Sequence, residues 1–131
     1  MFIKRQRVET FLLISLGAII GANLRYGVTV WATDHVGVGF PWGTLIINFT
    51  GSALLAFFYA WTTKHSALDP RLRLLVAVGF FGAYTTFSTF ANDSIALIQA
   101  GNWVGGLGNL VGTNLLCLGG VIVGLAVGSQ V

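Results

Sequence analysis

The chain has 131 residues and a mean hydropathy of +0.81, with 55% of its residues hydrophobic and only 8% charged. Soluble domains carry about 25% charged residues, so this composition excludes an ordinary soluble fold and predicts an integral membrane protein. The net charge of +3 comes from a few basic residues that flank apolar stretches, which argues against a nucleic-acid-binding surface.

Four apolar stretches follow one another along the chain, and each can supply the ~20 residues that a transmembrane helix needs. The first stretch is too long for a signal peptide, so we expect it to be retained. Trp42 and Trp61 lie at the two ends of the second, where tryptophan is a typical interfacial anchor. The predicted spans are residues 8–31, 42–62, 72–98 and 103–127. They form a single all-α transmembrane domain, residues 1–131.

Apart from Arg25, the lysines and arginines lie on one side of this predicted topology. Three belong to the N-terminal tail and three to the connection between spans two and three, and the other two connections have none. By the positive-inside rule, this distribution favours both termini in the cytoplasm. Glycines at four-residue spacing, such as Gly120, Gly124 and Gly128, are typical of close helix packing in lipid. Four such thin helices enclose little volume, so we expect an oligomer if the protein moves a solute.

Polar side chains recur inside the predicted spans, and polar groups at membrane depth are expensive enough to suggest function. Spans two and four each carry them at four-residue intervals on one helix face: Thr44, Asn48 and Ser52, and Asn109, Thr113 and Cys117. We interpret these strips either as helix–helix hydrogen bonding or as the wall of a solute pathway. Arg25 in span one is either an interfacial anchor or a group that recruits anions.

The sequence GFFGAYTTFSTFANDS, residues 79–94, is the most polar part of any span. Its glycines and paired threonines predict a helix break between Gly82 and Thr86, and the carbonyls freed there need an ion, water or a neighbour. Phe87 and Phe90 fall on one face of the helix that follows, while hydroxyl and amide groups fall on another. The alternative is a continuous helix whose hydroxyls bond back to their own carbonyls.

The chemistry of these strips favours a pathway for a small solute or an anion. No span has a central chain of Glu, Lys or His suited to proton relay, and Asp93 is the one intramembrane carboxylate candidate. Neutral N–H and O–H donors and the positive edges of aromatic rings can replace part of an anion's hydration shell. His35 and His65 lie in connecting segments and receive no role. Without a metal cluster or a nucleophile–base pair, we expect no enzymatic activity.

Three segments resemble the signature sequences of a known family. GAIIGANLRY (17–26), PWGTLIINFTGSALL (41–55) and above all GFFGAYTTFSTF (79–90) are similar to those of the Fluc (CrcB) fluoride channels. The resemblance implies an antiparallel, dual-topology homodimer with two fluoride pores in the inner membrane bilayer. It assigns the pore to Asn48, Phe87, Phe90, Thr44, Ser88, Thr113, Cys117, Arg25 and Asp93. It assigns a structural sodium ion at the dimer interface to the backbone carbonyls of Gly82 and Thr85.

The chain departs from the family pattern at three points. Ala91 and Asp93 stand where the family commonly has a serine and a glutamate, which puts the role of this carboxylate in question. Leu116 and Cys117 replace a Gly-Ser pair, so the track in span four is less polar. The one-sided distribution of basic residues conflicts with dual topology, so a heterodimer with an oppositely oriented paralogue is the alternative to the homodimer.

The resemblance and the missing proton relay together predict passive, selective export of cytoplasmic fluoride. A small multidrug-resistance-type proton antiporter has a similar length and four helices, but it needs a membrane-embedded glutamate in span one. Glu9, the one glutamate here, lies at the start of that span. A purely structural membrane subunit is the third hypothesis.

Overall fold

The structure is a computed structural model that describes residues 2–65 and 69–131. The described part is all-helical, and four of its helical stretches are long and apolar enough to cross a membrane: Arg5–His35, Trp42–Lys64, Pro70–Gln99 and Trp103–Gly128. The prediction of an all-α chain with four candidate spans is therefore confirmed. Each predicted span lies within the corresponding helical stretch, and most of the stretches extend a few residues further.

Span three contains several helical elements in succession. In chain order the elements are α1 (Phe2–His35), α2 (Trp42–Lys64), α3 (Pro70–Arg73), a π-helical segment (Leu74–Phe81), α4 (Gly82–Tyr84), α5 (Phe87–Gln99) and α6 (Trp103–Gly128). The start of span three follows from its sequence, because Pro70 is tolerated in a first turn and the Asp69 carboxylate accepts the Arg71 N–H at 2.9 Å. Asn102 caps α6 in the same way by accepting the Gly105 N–H at 2.9 Å.

The backbone of span three leaves the helical conformation at two residues. Gly82 is still helical, and α4 continues to Tyr84. Thr85 (φ −78°, ψ 157°) and Thr86 (φ −152°, ψ 116°) are extended. The hydroxyl of Thr86 accepts the Thr89 N–H at 3.3 Å and so serves as the N-cap from which α5 resumes. The two extended residues lie within residues 82–86, where the sequence predicts a helix break.

Glycines set how closely the helices approach. On α6, a Cβ at Gly124 would overlap the backbone carbonyl oxygen of Ala53 in α2, and a Cβ at Gly128 would lie 2.6 Å from the carbonyl oxygen of Phe57. On α1, Gly17 and Gly21 lie equally close to the backbone of the π-helical segment. These contacts pair α6 with α2 and α1 with span three, as small residues do when packing drives association in lipid.

The core is small because most apolar side chains face outward. Its buried cluster consists of Ile47, Phe58, Ala77, Phe81 and Tyr84. At one end of the bundle, the Arg71 guanidinium lies 3.0 Å from the Glu9 carboxylate, which joins the start of α1 to α3. The N-terminal tail and the connection before span three therefore lie at the same end, as the distribution of basic residues predicts.

Candidate functional site: a neutral cavity beside the extended segment

Asn48, in the second turn of α2, pairs with the backbone of the extended segment. The Thr86 N–H donates to Asn48 Oδ1 at 2.8 Å, and Asn48 Nδ2 donates to the Thr86 carbonyl at 3.0 Å. Because the backbone of Thr86 offers one donor and one acceptor at once, this pair fixes both the position and the orientation of the Asn48 amide. One Nδ2 proton of Asn48 remains for another acceptor.

The extended segment diverts two backbone amides from their helical partners. In a continuous helix the Thr86 N–H would bond to the Gly82 carbonyl, and the Thr89 N–H to the Thr85 carbonyl. Instead the first donates to Asn48 and the second to the Thr86 hydroxyl. The carbonyls of Gly82 and Thr85 are therefore deprived of the N–H groups that an unbroken helix would supply. Gly82 is also exposed on the surface of the single chain.

A cavity of about 230 Å³ lies beside this pairing. It is lined by Asn48, Ser52, Thr85, Thr86, Phe87, Phe90, Thr113, Asn114 and Cys117. None of these side chains carries a formal charge, so the cavity offers dipoles and ring edges without a fixed ion. It brings together five of the residues that the sequence assigned to the pore: Asn48, Phe87, Phe90, Thr113 and Cys117.

The two phenylalanines of this cavity differ in their surroundings. Phe90 is buried, with 4% of its surface exposed, whereas Phe87 is 77% exposed in the single chain. Their ring centroids are 5.7 Å apart and the planes are inclined by 52°. Phe90 thus forms part of the packed wall, while Phe87 extends beyond it.

A second, larger cavity of about 440 Å³ opens at the end of the bundle where α2 begins. Thr44, Thr89 and Asp93 supply polar groups to its lining. The Thr44 hydroxyl donates to Asp93 Oδ2 at 2.8 Å, so the carboxylate is held at the cavity wall. Because Thr44 lies one turn before Asn48, the two cavities follow one another along the same face of α2.

Arg25 and Ser88 are the two predicted pore residues that line neither cavity. Of the two salt bridges among residues 2–65 and 69–131, neither includes Arg25. Ser88 is exposed, and its hydroxyl oxygen lies 3.4 Å from that of Thr86. Each residue touches a lining residue without lining a cavity itself, because Ser88 contacts Thr86 and the Arg25 carbonyl accepts from the Thr29 hydroxyl at 2.9 Å.

Sequence reasoning missed Ser94, whose hydroxyl is fully buried between α5 and α6. Asn109 Nδ2 donates to Ser94 Oγ at 2.9 Å, and the Thr113 hydroxyl donates to Asn109 Oδ1 at 2.9 Å. The only signal in the sequence is that Asn109 and Thr113 share a helix face. Nothing in the sequence around Ser94 indicates that its hydroxyl pairs with Asn109.

Comparison with known proteins identifies a family and several relatives. Residues 12–125 match the family described as "CrcB-like protein, Camphor Resistance (CrcB)". A protein of Koribacter versatilis named fluoride-specific ion channel FluC is 46% identical over 115 residues, which cover 88% of this chain and 91% of that protein. Proteins of the same name from Chloroflexus aurantiacus (39% over 121 residues, 92% of this chain and 96% of that protein) and Trichormus variabilis (43% over 116 residues, 88% and 85%) are similar as well.

These relatives are named as ion channels, which is consistent with the expectation that the chain is not an enzyme. Their names and the four apolar helices indicate an integral, multi-pass membrane protein. The match to the family extends over nearly the whole chain, and the relatives cover most of its length. The chain belongs to the CrcB-like family.

Proposed function

We propose that the protein is a fluoride-selective channel that exports cytoplasmic fluoride passively down its electrochemical gradient. The observation that carries the proposal is the neutral cavity beside the Asn48–Thr86 pair, lined by an amide donor and two phenylalanine rings. The relatives' name, fluoride-specific ion channel, supports fluoride as the solute. The membrane potential assists export, since one charge that crosses 100 mV changes in free energy by about 2.3 kcal/mol.

The path of the anion follows the donors that the cavity leaves free. The remaining Nδ2 proton of Asn48 is one donor, and the ring edges of Phe87 and Phe90 carry partial positive charge. Such groups replace part of the hydration shell of a small anion without the strong attraction of a fixed cation. Conduction needs sites of this kind, which attract the ion and still release it.

The functional unit in this proposal is an antiparallel, dual-topology dimer with two pores. Within each subunit, the two extended threonines, Thr85 and Thr86, are the helix break of span three. Phe87 is 77% exposed and Ser88 is exposed in the single chain, which suits residues that a second subunit covers. The homodimer is the first choice, and a heterodimer with an oppositely oriented paralogue is the alternative. Tagging of the termini in native membranes separates the two, because a homodimer requires both orientations and a single orientation requires a paralogue.

A structural sodium ion at the dimer interface fits the backbone chemistry. Sodium is a hard cation that prefers oxygen ligands. The carbonyls of Gly82 and Thr85 lack the N–H partners that an unbroken helix would give them, because those N–H groups donate to Asn48 and to the Thr86 hydroxyl. These two carbonyls would hold the ion, whose positive charge would attract the negative ends of the carbonyl dipoles. Within the chain, Asn48 keeps the segment extended through its two hydrogen bonds with Thr86.

The test of this function is a flux assay with purified protein in liposomes. A fluoride-selective channel releases trapped fluoride when the potential is clamped and leaves trapped chloride inside. Chloride release at an equal rate would refute the proposal. The proton-antiporter hypothesis predicts dye efflux driven by a pH gradient, but Glu9 is 41% exposed and paired with Arg71 at the helix start.

A further inference from the structure

A buried line of hydrogen bonds joins α5 to α6 behind the 230 Å³ cavity. Ser94 Oγ lies 2.7 Å from the Phe90 carbonyl oxygen and 2.9 Å from Asn109 Nδ2, and Asn109 Oδ1 lies 2.9 Å from Thr113 Oγ1. Ser94 and Asn109 are 0% exposed and Thr113 is 3% exposed. Thr113 also lines the cavity, so the line ends at the proposed pathway.

The direction of every proton in this line follows from its first member. A backbone carbonyl can only accept, so the Ser94 hydroxyl must donate to Phe90. With its proton used, Ser94 Oγ can only accept from Asn109, which must therefore present Nδ2. Asn109 Oδ1 then faces Thr113, and the Thr113 hydroxyl must donate to it.

We infer that Ser94 and Asn109 are positioning residues that hold the Thr113 hydroxyl proton away from the cavity. Thr113 lines the cavity with lone pairs or its methyl group and gives no hydrogen bond to an anion there. This inference rests on the proposed function, since it concerns the strength with which the cavity holds fluoride. The orientation keeps one donor out of the site, which favours release of the anion and hence throughput.

Ser94→Ala tests this arrangement because it removes the group that fixes the Asn109 amide. A buried N–H without a partner is rarer than an under-satisfied carbonyl, so the amide should rotate and donate to Thr113 Oγ1. The Thr113 proton is then free to turn into the cavity. The fluoride concentration that gives half-maximal flux should fall about tenfold, as expected for one added hydrogen bond to a charged group.

The double variant Ser94→Ala/Thr113→Val separates this mechanism from general loss of packing. Without the Thr113 hydroxyl the gain in fluoride affinity must vanish. The double variant should therefore have the same half-maximal fluoride concentration as Thr113→Val alone. Ser15→Ala, an exposed serine in span one, is the matched control. An unchanged half-maximal concentration in Ser94→Ala, or a shift that persists in the double variant, would overturn the inference.

A measurement without flux tests the orientation of these hydrogen bonds separately from the proposed function. In protein labelled with ¹⁵N-asparagine, the Asn109 side-chain amide protons should show nuclear Overhauser contacts to the Ser94 β-protons. In Ser94→Ala they should instead contact the Thr113 methyl group. Contacts to Thr113 in the unsubstituted protein would contradict the inference. If the expected contacts are found but the protein carries no fluoride flux, the proposed function is refuted and the orientation of the hydrogen bonds is not.

Discussion

Asn48 and Thr86 exchange two hydrogen bonds, one in each direction, between the second turn of α2 and the extended segment of span three. The pair satisfies a backbone N–H and a backbone carbonyl at membrane depth, where unsatisfied groups cost several kcal/mol. The same amide lines the proposed pathway and offers it one proton. In the proposed channel, one side chain would therefore serve both the extended segment and the anion.

Asn48→Ala should abolish fluoride flux and lower thermal stability. The change leaves both Thr86 groups without a partner, at about 1–3 kcal/mol each, and removes the amide donor from the cavity. Flux from liposomes and melting in detergent measure the two effects. Asn23→Ala is the control, because Asn23 is exposed and donates only to the Ile19 carbonyl of its own helix. A conducting Asn48→Ala protein would contradict the proposed role of this amide.

Phe87→Ile should lower fluoride flux by at least about tenfold while the protein still folds. Phe87 is 77% exposed in the single chain, so its replacement removes an aromatic edge from the cavity without opening the packed core. Phe11→Ile, at a position in span one that is 70% exposed, is the matched control. Equal flux in the two variants would contradict the proposed role of Phe87 in the fluoride pathway.

Asp93→Asn should raise fluoride entry at low ionic strength by about threefold from the side of the membrane on which Asp93 lies. The reason is that the negative charge of Asp93 at the 440 Å³ cavity repels an incoming anion. The substituted amide oxygen can still accept the Thr44 hydroxyl, so the local geometry is kept. The gain should shrink at high salt as the charge is screened. Asp34→Asn, an exposed carboxylate outside the cavity lining, is the control. A loss of flux in Asp93→Asn would assign the carboxylate an active part in permeation.

Gly124→Ala should destabilise the protein, whereas Gly119→Ala should not. A Cβ at Gly124 would overlap the Ala53 carbonyl and force α2 and α6 apart, while a Cβ at Gly119 meets nothing within 4 Å in the single chain. Alanine otherwise favours a helix over glycine by about 1 kcal/mol, so the two substitutions should have opposite signs. The fraction of protein that stays monodisperse after heating in detergent measures the difference. Equal losses would place the dominant packing contact of α6 elsewhere.

The sequence predicted the helices well because a bilayer requires long apolar segments, and hydropathy alone reveals them. It also singled out Asn48, because polar groups are rare within spans, and the family resemblance added Phe87 and Phe90, which line the same cavity. It could not predict that Asn48 pairs with Thr86, since the contact joins residues 38 positions apart. It could not specify which residues between Gly82 and Thr86 leave the helical conformation, because glycine permits a break without requiring one. Ser94 escaped notice because hydroxyls that bond back to their own helix are common.

The most direct test of fluoride channel activity is the reversal potential of purified protein in a planar bilayer. With a tenfold fluoride gradient, the current should reverse at the fluoride equilibrium potential, about 59 mV for a monovalent ion. Added chloride or pH gradients should not move it. A reversal potential that follows chloride or protons, or protein that carries no current in either direction, would contradict the account.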